Sequence, residues 1–122
     1  MINFVKTIKN PEVNSIADFN KLALRFEETD TKPHFNRIAF RVKGKIFATL
    51  LEKEKTANLK LSLENQYVFS KTDPAIYPVP GGWGRMGFTT VEFTHISKSL
   101  LKEIITSAYC HLAPKKLAEK YS

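Results

Sequence analysis

Trp83 and Arg85 stand two residues apart in the run Pro78-Val79-Pro80-Gly81-Gly82-Trp83-Gly84-Arg85-Met86-Gly87. This run holds the only tryptophan and four of the five glycines. An indole face can stack on an unpaired base, a guanidinium can pair with a phosphate, and glycines let a backbone come close. A plainer reading stays open beside it. A tryptophan buries a large area, so Trp83 could fold back as a plug over the core, with the glycines serving only the turn. The run lacks the following helix that a phosphate-binding glycine loop requires.

Two further sets of cations could do the same chemistry. Arg37, Arg41 and Lys60 fall on the non-core side of alternating segments, interleaved with apolar residues, where they could straddle a phosphate backbone. The bland counterpart is a solvated sheet face, or one covered by residues 1–14. Lys115 and Lys116 lie near the carboxyl end on a short basic amphipathic segment, where a solvated face is the ordinary role of lysines. His34 and Tyr77 could instead line a small-molecule pocket beside Trp83. That would make the chain a protein-interaction or small-ligand module.

The charge distribution favours a polyanionic partner. The net charge is +7, and residues 37–60 hold seven Lys/Arg against two Glu. Clustered positive charge attracts polyanions through its field and through counterion release. The expected partner is therefore nucleic acid bound with low sequence specificity, DNA or RNA left open, and solubility alone is the competing explanation of the charge.

Other chemistries find little support. His34, His95 and His111 are scattered. Cys110 and His111 are adjacent, so on a helix they point about 100° apart and cannot readily share one ion. No metal, cofactor or catalytic constellation is expected, and Cys110 reads as a buried thiol beside an apolar stripe. One cysteine excludes an internal disulfide and suits a reducing compartment. No apolar run reaches the ~18 residues of a membrane span or resembles a signal peptide. The expected location is cytoplasmic, with no membrane partner.

These residues need elements to position them. At 122 residues, with 43% hydrophobic content, one domain with a real core is expected. Residues 1–14 lack periodicity and read as an N-terminal extension, and residues 15–122 as the domain. Ser15 to about Glu28 predicts a helix with Ser15 and Asp18 as its capping box. Thr29–Asn36 reads as a polar connection. Arg37–Val42 and Lys45–Leu51 predict a hairpin about Lys43-Gly44, whose two-residue loop sets Phe40 opposite Phe47, Ala39 opposite Ala48 and Ile38 opposite Thr49. Leu50 then shares the non-core face with Arg37, Arg41 and Ile46. Asn58–Leu61 and Thr89–Phe93 predict two more strands, with a short helix after Ser62 between them. Ser97 predicts the cap of a final helix bearing Leu100, Leu101, Ile104, Ile105, Ala108 and Leu112 on one stripe. Pro114 ends it or starts a further turn. The sum is an α+β two-layer sandwich, an antiparallel sheet with helices on one face.

An ordered set of segments resembles the MmcQ/YjbR family of small bacterial proteins. The segments are Pro33-His34-Phe35, Ala39 to Leu50, Asn58-Leu59-Lys60-Leu61, Tyr77 to Gly84, Thr89-Thr90-Val91 and Ala113-Pro114-Lys115-Lys116-Leu117. The resemblance runs from about Ile16 to Leu117. It implies a CyaY-like sandwich and a DNA-binding role, the latter resting on structural analogy. An iron-binding version of such a fold would need an acidic ridge of hard oxygen ligands. Here Lys21 and Arg25 interrupt Asp18, Glu27 and Glu28.

Overall fold

In a computed structural model the described residues are 13–122, so most of the expected N-terminal extension lies outside them. Helix α1 (Ile16–Leu24) opens with the expected capping box. Ser15 Oγ accepts from the Asp18 backbone, and the Asp18 carboxylate accepts from the Ser15 N–H. Four strands follow: β1 (Thr29–His34), β2 (Arg37–Val42), β3 (Lys45–Leu51) and β4 (Thr56–Lys60). Then come α2 (Leu63–Thr72), β5 (Ile76–Pro78), the single turn α3 (Gly82–Arg85) and β6 (Phe88–Val91). A 3-10 turn (Phe93–His95), α4 (Lys98–Leu112) and the single turn α5 (Lys115–Ala118) complete the chain. Ser62 and Ser97 cap α2 and α4 through their hydroxyls.

The six strands form one antiparallel sheet in the order β1-β2-β3-β4-β6-β5. Two strands escaped the sequence reading, and both are edges. β1 is polar and contains Pro33, a residue that edge strands tolerate because no ladder bond is asked of it. β5 is only three residues long. Neither buries a continuous face, so neither shows the alternation that marks a strand.

The hairpin turn forms as its residues dictate. Lys43 and Gly44 take φ of 51° and 81°, the left-handed pair of a type I′ turn. The register beyond the turn differs from the simple hairpin. Arg41 faces Ile46, but Phe40 faces Ala48, Ala39 faces Thr49 and Ile38 faces Leu50, with a bulge between. The extra residue is Phe47. Without it, Ala48 and Leu50 would share the face of Ile46. With it, Phe40, Phe47, Ala48 and Leu50 are all buried in the core. The gain in apolar burial decides the register, and it moves Thr49 onto the opposite face.

The core lies between the sheet and α1 with α4. Phe19 meets Phe40 edge-on at 5.5 Å and Phe93 at 5.1 Å. Phe26 stacks on Tyr109 at 4.3 Å, and Tyr121 closes on both. Along α4, Leu101, Ile104, Ile105 and Ala108 are buried as the stripe requires. Asn14, within the expected extension, is buried here too. Its amide donates to the Phe93 and Ile96 carbonyls. Among the described residues, no helix is long and apolar enough to cross a membrane.

A candidate ligand site on the outer face of the sheet

The face opposite α1 and α4 carries the side chains that alternate with the core. Across it run Ala39, Thr49, Asn58, Thr90 and Tyr77, each opposite the next on neighbouring strands. The Thr90 hydroxyl donates to Asn58 Oδ1 at 2.7 Å, tying β6 to β4. Over this face lies a cavity of about 420 Å³ lined by His34, Arg37, Ile46, Thr49, Asn58, Val79, Trp83 and Phe88. Its lining is largely apolar, with a few polar groups, the usual make-up of a small-molecule site.

Trp83 is the exposed lip of this cavity. It is 62% exposed and meets Phe88 edge-on at 5.4 Å. Phe88 sits opposite Lys60, whose side chain also leaves the core, so the pair belongs to the outer face. The reading of Trp83 as a plug over the core is thus overturned. The glycines, however, serve the turn. A Cβ on Gly84 would stand 1.9 Å from the Val79 carbonyl oxygen, and Gly87, at φ 104°, would meet that of Leu61 at 2.0 Å. The Gln66 amide, buried on α2, holds the turn from beneath. It reaches the Gly84 carbonyl at 3.0 Å, and the Phe88 carbonyl and Thr89 hydroxyl at 3.1 Å.

The expected basic residues divide sharply. Arg37 lines the cavity half-buried, and its Nη1 donates weakly to Thr49 Oγ1 at 3.4 Å. Burial pulls its guanidinium below the ordinary value, and the field of Glu54 pulls the other way. No carboxylate pairs with it among the described residues. Arg41 is committed instead. It donates to both carboxylate oxygens of Asp30 at 2.8 Å, which raises its own pKa and lowers that of Asp30. Lys60 donates to the Met86 carbonyl and lies 5.4 Å from the Phe88 ring, bracing the loop. Arg85 is exposed on α3 beside a second, more open cleft under Pro78–Gly81. Lys115 and Lys116 are exposed on α5, which packs on α4 in the helical layer. The core separates them from the outer face, so they do not join the other cations in one surface.

The expected small-ligand trio also divides. His34 and Trp83 line the same cavity, but Tyr77 does not. Tyr77 sits on the edge strand β5, and its hydroxyl donates to Glu92 at 2.7 Å, which with partial burial raises its pKa to about 12. Six contributors were not singled out as site residues in sequence: Ile46, Thr49, Asn58, Val79, Phe88 and Gln66. The bulge hid Thr49. Asn58 and Phe88 showed only as strand or flank residues, and Gln66 only as a polar residue of a helical first turn. Cys110 is half-buried, with its thiol pKa raised by burial, and faces the Ala118 carbonyl.

A family model for YjbR matches residues 24–111, a span that contains every residue of the cavity. The chain belongs to the YjbR family. A crystal structure of the Deinococcus radiodurans protein DR2400, a DUF419 domain, superposes on this YjbR chain with a TM-score of 0.71 at 15% identity, covering 93% of this chain and 88% of that one. At that identity the likeness is one of fold, an α+β sandwich. No curated protein matches the YjbR chain.

Proposed function

We propose that this chain is a non-enzymatic binding domain for single-stranded nucleic acid, reading unpaired bases on the outer face of its sheet. One observation carries the reading. An exposed tryptophan stands on a second aromatic ring at the mouth of a cavity that holds an arginine paired with no carboxylate among the described residues. Aromatic side chains stack on any base, and cations along the path answer the phosphates. The net charge of +7 supplies the long-range attraction. The lone cysteine suits a reducing, cytoplasmic setting.

The geometry favours single strands over a duplex. Arg41 and Lys60 are engaged within the fold, and Lys115 and Lys116 lie on another layer. A broad phosphate-tracking face is therefore weak, whereas a stacking seat is well formed. Anisotropy titrations with labelled single-stranded and duplex oligonucleotides, at several salt concentrations, test this. The reading expects tighter single-strand binding, Trp83 fluorescence quenching, and a salt slope of a few units, at ~0.7 per phosphate neutralised. Equal or tighter duplex binding without quenching would refute it. So would no binding at low salt, which would leave the cavity to a free small ligand.

A further inference from the structure

Arg37 is the unusual group in the cavity. It shares the cavity with the apolar side chains of Ile46, Val79, Phe88 and Trp83, and its one side-chain hydrogen-bond partner among the described residues is Thr49 Oγ1. A half-buried guanidinium whose fork makes only one weak bond within the protein is free to pair with a ligand that supplies acceptors. A buried phosphate is a poor candidate. It would shed its water against Ile46, Val79, Phe88 and Trp83 with Arg37 the only Lys or Arg among the described lining residues, and the flanking cations Arg41 and Lys60 already have partners. A neutral, planar ligand with two adjacent acceptors satisfies the planar fork without burying an anion.

Resting on the single-strand reading above, we propose that the cavity selects guanine among unpaired bases. The Arg37 guanidinium would donate to O6 and N7, the pairing that geometry makes the commonest specific arginine contact with a base. Trp83 covers the ring from the loop, with Phe88 behind it. Adenine puts an amino donor where O6 stands and so faces Arg37 with a donor. Cytosine offers two adjacent acceptors on a smaller ring, with less area to cover Trp83. The volume of about 420 Å³ is ample for one base with part of its sugar.

The test uses the full chain and a short oligothymidine carrying one central guanine, hypoxanthine, 7-deazaguanine, adenine or cytosine. Guanine and hypoxanthine should bind alike, since both keep O6 and N7. Adenine and 7-deazaguanine should bind roughly 5- to 100-fold more weakly, the range of one bidentate pair. Arg37→Lys keeps the charge but loses the fork, and should abolish the guanine preference while leaving the salt slope in place. Equal affinity for all five strands would overturn the guanine proposal and leave the single-strand reading standing. Tighter binding of the cytosine strand, or a guanine preference that survives in Arg37→Lys, would also overturn it. No binding of any strand would defeat both.

Discussion

The two faces of this sheet are made by the same strands and end in opposite states. On the inner face Phe40, Phe47, Leu50, Leu59 and Val91 are fully buried against α1 and α4. On the outer face Arg37, Ile46 and Thr49 of β2 and β3 line an open cavity under a loop. The inner face is closed by summed apolar area, and no single group in it is irreplaceable in kind. The outer face is held by a few directed bonds: Gln66 to the loop, Lys60 to Met86, Thr90 to Asn58. Inner-face changes should therefore appear as stability, and outer-face changes as binding.

The largest effect should come from the inner face. Phe40→Ala should cost about 3–5 kcal/mol of stability, because it leaves a cavity among Phe19, Ala48 and their neighbours. Denaturant melts measure it, and a loss below 1 kcal/mol would mean the core is not packed as described. Next comes the support of the loop. Gln66→Leu should cost about 1–3 kcal/mol by stripping partners from the buried Gly84 carbonyl and its neighbours, and it should shift Trp83 fluorescence in the folded protein. An unchanged spectrum would show that Gln66 does not hold the loop.

Trp83→Ala sharpens the contrast from the other side. A side chain 62% exposed buries too little to matter for folding, so stability should change by less than about 1 kcal/mol. Oligonucleotide affinity should fall by at least tenfold, at ~1–3 kcal/mol per stacked base. A melt lowered as far as in Phe40→Ala would make the tryptophan structural.

The smallest effect is a titration. Tyr77, bonded to Glu92, and Tyr109, shut in the core, both hold their protons to about pH 12. Their folded values lie above the unfolded value near 10, so their contribution to stability is present below pH 10 and lost as pH rises toward 12. Ultraviolet titration should show two late tyrosines, one vanishing in Tyr77→Phe and one in Tyr109→Phe. Two early titrations would contradict both the Tyr77–Glu92 bond and the burial of Tyr109.

Much of the inner face was legible in the sequence, and little of the outer. Ser15, Ser62 and Ser97 announced three helices because capping is a local transaction between a hydroxyl and a nearby N–H. Lys43-Gly44 announced the hairpin for a similarly local reason. The bulge was not legible, since it is decided by whether Phe47, Ala48 and Leu50 can all reach a core that only the other elements create. The two edge strands were invisible because neither buries a continuous face. The cavity draws on five strands and a loop, so its residues share no spacing that could mark them. Arg37 and Arg41 looked alike in sequence. Only the pairing of β1 with β2 sets Asp30 beside Arg41 and His34 opposite Arg37, which among the described residues pairs with no carboxylate.

That difference between two arginines four residues apart gives the most direct test. Affinity for a single-stranded oligonucleotide should be measured, by Trp83 quenching, for Arg37→Gln and Arg41→Gln side by side. The account predicts that Arg37→Gln loses at least fivefold in affinity. It predicts that Arg41→Gln, whose charge is already answered by Asp30, stays within about twofold of the unaltered chain. The reverse order, or equal losses in both, would contradict the claim that the outer-face cavity is the binding site.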